Sequence, residues 1–91
     1  MGTSATVVVK QSDHAFAHVR VNFDGYPSHM LVALANVTDE QLLDGREIRF
    51  ISAEGEIEFY PEAGVTVRRM VRTGEESYTY IRDADGVWKE A

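Results

Sequence analysis

Residues 15–23 alternate. Ala15, Ala17, Val19, Val21 and Phe23 fall on one side of an extended chain; His18, Arg20 and Asn22 fall on the other, with Phe16 the interruption. A period of two fits the pleat of a β-strand, so this stretch belongs in a sheet with one face buried. Just upstream, Thr6, Val7, Val8, Val9 and Lys10 form a β-branched run that reads as a buried strand. Gln11, Ser12, Asp13 and His14 read as the polar turn between them. An antiparallel hairpin is therefore expected to open the chain.

Asp24, Gly25, Tyr26, Pro27 and Ser28 end the second strand. Gly25 admits positive φ, and Pro27 holds Tyr26 out of helical geometry. A helix follows over about residues 28–37, with Met30, Leu31, Leu34 and Val37 as its apolar stripe. Thr38 and Gln41 have the spacing of a capping box, starting a short helical turn that Gly45 ends. The second half reads as strands over residues 46–52, 56–60, 65–72 and 77–82 and a last one holding Val87 and Trp88, with turns at 53–55, 61–64, 73–76 and 83–86. Slipped alternation at Arg68 and Arg69 predicts a bulge. The fold class is α+β: a mainly antiparallel sheet in ββα-β-meander order, with the main helix and the short helical turn packed on one face. A chain of 91 residues has room for one core, so residues 1–91 are expected to be a single domain.

Nine basic residues against fifteen acidic ones give a net charge of −6. Direct binding to nucleic acid or to an anionic membrane is disfavoured, since both carry the same sign. Without cysteine there is no disulfide, thiolate metal site or cysteine nucleophile. No apolar run approaches the ~18 residues of a membrane span, and the start lacks the basic and apolar regions of a secretory signal. A cytoplasmic location is expected.

Chemistry is sparse. His14, His18 and His29 have no metal-ligand spacing, no nucleophile elbow is present, and the glycines punctuate turns singly; no cofactor, metal or catalytic residue is assigned, and an enzyme is not expected. His18, Arg20, Asp24 and Tyr26 outline a candidate ligand pocket at the strand-to-helix corner, although turn chemistry alone also accounts for Asp24 and Tyr26. The aromatics of the last strands read either as an exposed patch or as core, with Trp88 and one of Tyr78 and Tyr80 expected inside. The acidic clustering is more distinctive. Glu54, Glu56, Glu58 and Glu62 crowd one strand and its flanks with no base among them, and Tyr60 lies between as a candidate anchor. One reading is a solvated face that discourages edge pairing. The other is a negative field that imitates nucleic-acid phosphates and steers a basic partner. Arg68, Arg69 and Arg72 are expected on the next strand, where they would neutralise part of that field.

Phe23, Asp24, Gly25, Tyr26 and Pro27 before a leucine-rich helix, with Met1, Gly2 and Thr3 at the start, resemble small proteins of phages, prophages and related mobile elements. Ser4 stands where those proteins usually carry a base. The resemblance covers roughly the first half of the chain and implies a mobile-element origin in a bacterial host, without catalytic residues to transfer. In size and charge, though not in motif, the chain also resembles anti-CRISPR proteins. The resulting expectation is a non-enzymatic accessory protein that inhibits a host defence nucleoprotein of CRISPR–Cas or restriction type. Its contact residues would be Glu54, Glu56, Glu58, Tyr60 and Glu62. The alternative is a small-ligand or nucleotide-binding module using the turn from Asp24 to Pro27. A homodimer through an exposed edge strand is also expected.

Overall fold

The computed structural model describes residues 3–22, 25–44, 48–52, 55–59, 61–82 and 84–91, and for 48–52, 55–59 and 61–64 it describes the backbone alone. Strands β1 (Ala5–Ser12) and β2 (Ala15–Val21) form the expected antiparallel hairpin, with Val7 opposite Val19 and Val9 opposite Ala17. Two helices follow, α1 (Pro27–Leu34) and α2 (Asp39–Asp44). The remaining strands are β3 (Ile48–Ser52), β4 (Gly55–Phe59), β5 (Pro61–Arg68), β6 (Tyr78–Arg82) and β7 (Trp88–Glu90). The chain is a small α+β domain.

The second half is not the expected meander. Among the described residues, β3 and β4 pair with each other alone, as a two-stranded ribbon. β5 leaves them and joins β2, while β6 runs parallel to β1, giving a mixed sheet in the order β5-β2-β1-β6-β7. The parallel pairing sets Val7 beside Tyr80 and Ala5 beside Tyr78, so the central apolar strand is flanked on both sides by residues that share its buried face. A two-sided apolar strand such as β1 is satisfied best in the sheet interior.

One face of this sheet carries Ala5, Val7, Val9, Ala17, Val19, Val21 and Tyr80, and packs with Met30, Ala33 and Leu34 of α1 and Leu42 of α2. Tyr80 is the large tyrosine of the core, with Tyr78 and Trp88 packed partly against it. α1 lies against β4 and β7, and α2 against β2 and β5. α1 is shorter than its apolar spacing predicts. It stops after Leu34, where the Asn36 backbone N–H donates to the Ala33 carbonyl and the Asn36 side chain donates to the Val32 carbonyl at 2.9 Å. Those bonds satisfy late carbonyls and turn the chain.

Gly25 serves a different end from the one its position suggests. A Cβ there would come within 2.7 Å of the Thr3 carbonyl oxygen and 2.8 Å of the Ala5 Cβ. Glycine is required by close approach rather than by a left-handed backbone. The bulge also moves. It lies in β5 at residues 62–64, between the pairings Val19–Val65 and Val21–Pro61, whereas Arg68 ends the strand in register with Phe16. Residues 61–64, expected as a turn, are therefore bulged strand. Among the described residues, no helix is long and apolar enough to cross a membrane.

Candidate functional site

The acidic strand sits in the β3–β4 ribbon. Glu56 and Glu58 occupy alternate positions of β4, so they share a face of the ribbon, and the register sets them opposite Ile51 and Arg49. Glu54 and Tyr60 lie outside the described residues, and Glu62 falls in the bulged part of β5. The arginines expected beside these glutamates are elsewhere. β4's ladder partner is β3, while Arg68 is carried by β5 into the five-stranded sheet. There Arg68 and Arg72 both reach Glu75 at 3.0 Å, and Arg20 reaches Glu76 at 3.1 Å. The physical reason is register: β5 pairs its apolar Val65 and Val67 with Val19 and Ala17, which takes its arginine end with them.

Those ion pairs belong to a strap that sequence reasoning missed. His18, on the face of β2 away from the helices, is 5% exposed. Its Nε2 accepts the Arg72 backbone N–H at 3.0 Å. An N–H can only donate, so Nδ1 carries the ring proton and donates to the Phe16 carbonyl at 2.9 Å. Residues 69–77 are thereby held across the second face of the sheet, with Gly74 at φ 83° in a turn that favours glycine. Thr6, Val8 and Thr79 are buried on that face with His18. The local signal was present, a histidine on a polar strand face and Arg–Glu spacings at 68, 72 and 75, but nothing in it names a partner 54 positions away.

Of the candidate ligand-pocket residues, the three that are described are divided between the two faces of the sheet. His18 and Arg20 are on the strap side of β2. Tyr26 precedes α1, which packs on the opposite face; the residue is 41% exposed, and its ring centre lies 5.9 Å from that of His29. Asp24 lies outside the described residues. A cavity of about 420 Å³ does open on the strap side, lined by Val8, Phe16, Val71, Ile81 and Ala84 with Lys10 and Arg82. Its lining is mostly apolar, and its cations are engaged. Lys10 lies 3.6 Å from Asp13. Arg82 donates to both Asp39 oxygens at 2.9 and 2.8 Å and lies 4.9 Å from the Trp88 ring centre, and the Asp39 bond holds its guanidinium pKa above the ordinary value. Such a lining accepts an apolar group and offers no prepared anion receptor. Among the described residues, no group of three or more histidines and carboxylates is placed to hold a metal. Comparison of the chain with protein-family models, with curated proteins and with solved structures finds no match.

Proposed function

We propose that this chain is a non-enzymatic interaction protein whose acidic β4 ribbon docks on the basic groove of a nucleic-acid-handling partner. One observation supports the reading above the rest. Of the arginines expected beside the glutamates, Arg68 ends β5 in the other sheet and Arg72 lies just beyond that strand, and both engage Glu75. Within the ribbon, the register offers Arg49 opposite Glu58 and an apolar residue, Ile51, opposite Glu56. Two glutamates on one face of a strand repel each other, a cost that a cationic surface relieves on binding. The chain's resemblance to mobile-element proteins makes a host defence nucleoprotein the target this reading favours.

Capture from a bacterial lysate on the immobilised full chain, with and without competing nucleic acid, tests it. A nucleic-acid-binding protein should be retained by the native chain, displaced by added nucleic acid, and lost when Glu56→Lys and Glu58→Lys are combined. Retention that ignores both the competitor and the charge reversal contradicts the proposal.

A further inference from the structure

The exposed apolar side chains are concentrated. Among the described residues, four of the seven large ones, Val65, Val67, Met70 and Val71, fall within positions 65–71. They lie on β5, the end strand of the five-stranded sheet, and just beyond it. The inner side of β5 pairs with β2, and among the described residues no strand pairs with its outer side, which offers a ladder to an extended strand. Val65 and Val67 stand opposite Val19 and Ala17, which are fully buried beneath the helices, yet they are 40% and 57% exposed themselves. A strand added outside β5 would cover them.

The sequence of β5 fits a second copy of itself. About a two-fold axis through Thr66, antiparallel pairing sets Thr66 against Thr66 of the partner subunit and Val65 against Val67 of the partner subunit, the valine pair occurring twice by symmetry. Valine and threonine pairs of this kind favour antiparallel strands. One level further out, Gly64 comes opposite Arg68 of the partner subunit, so no two like charges face each other there. A parallel approach in register would instead stack like charges. Pro61 and the bulge at one end and Arg68 and Arg69 at the other confine pairing to the centre of the strand, which fixes its register. We propose that the chain forms a two-fold homodimer by β5–β5 pairing centred on Thr66, joining the two sheets edge to edge.

Light scattering on the full chain is expected to give twice the 10.2 kDa chain mass. Val67→Lys should give the single-chain mass with an unchanged circular dichroism spectrum. The chain has no cysteine, so Thr66→Cys supplies one thiol, which gentle oxidation should link to its counterpart in the second copy. Val87→Cys, also at an exposed position but beside the far edge strand β7, should not link. A monomer at every concentration overturns the proposal. So does a dimer that survives Val67→Lys and fails to cross-link through Thr66→Cys, because it would use another surface. Neither result bears on the acidic ribbon, which separate variants test.

Discussion

His18 commits both ring nitrogens to backbone groups, one 2 residues away and one 54 residues away. Replacing it by phenylalanine keeps the ring but strands the Phe16 carbonyl and the Arg72 N–H, each at a cost of about 1–3 kcal/mol if it stays buried. Urea denaturation should show His18→Phe destabilised, and hydrogen exchange at the Arg72 amide should speed up more than at the helix-packed face of β1. Equal protection at Arg72 in the two proteins would deny the strap its anchor. Tyr80 is the matching residue on the other face. Its hydroxyl donates to the Gly25 carbonyl at 2.5 Å, and burial, with Glu90 and Tyr78 adding to it, raises its pKa above the ordinary tyrosine range. The unfolded chain therefore gives up this proton first. Stability from the neutral phenol is whole below the ordinary tyrosine value of about 10 and drains away as pH climbs past it. Urea midpoints measured across that range should fall more steeply for the native chain than for Tyr80→Phe. At Gly25, alanine would overlap Thr3 and Ala5, and a loss of about 1–3 kcal/mol is expected in the same assay.

At the scale of elements, what could be read beforehand was what neighbouring residues decide among themselves. The Thr38–Gln41 box forms as its spacing requires: the Gln41 N–H donates to Thr38 Oγ1 at 3.2 Å, and the Thr38 N–H donates to Gln41 Oε1 at 2.9 Å. Thr38→Ala should cost about 0.5–2 kcal/mol, read from the urea midpoint. The alternation of β2 and the Met30–Leu34 stripe are legible for the same reason, since period reports which face is buried. Strand partners are another matter. Nothing within Thr79, Tyr80 and Ile81 distinguishes a parallel neighbour from an antiparallel one, and only the fit of Tyr80 beside Val7 in the assembled core decides it. The site meets the same limit: closeness in sequence puts Arg68 beside the glutamates, whereas pairing of β5 with β2 carries it into the other sheet.

At the scale of the molecule, among the described residues, Lys10, Arg20, Arg68, Arg72 and Arg82 each reach a carboxylate on another part of the chain than the ribbon. Glu56 and Glu58 stand on a separate two-stranded element. A β5-paired dimer would carry two such ribbons, and two linked contacts bind more tightly than either alone when the partner's geometry accepts both. The salt dependence of binding to the captured partner, compared between the native chain and the Glu56→Lys, Glu58→Lys variant, reports whether the ribbon's charge is engaged. Attraction between a negative ribbon and a cationic groove weakens as added salt screens it. The native chain should lose affinity steeply as salt rises, and the reversed chain should bind more weakly and with a flatter dependence. Two parallel lines of equal affinity would show that the glutamates of β4 take no part in recognition.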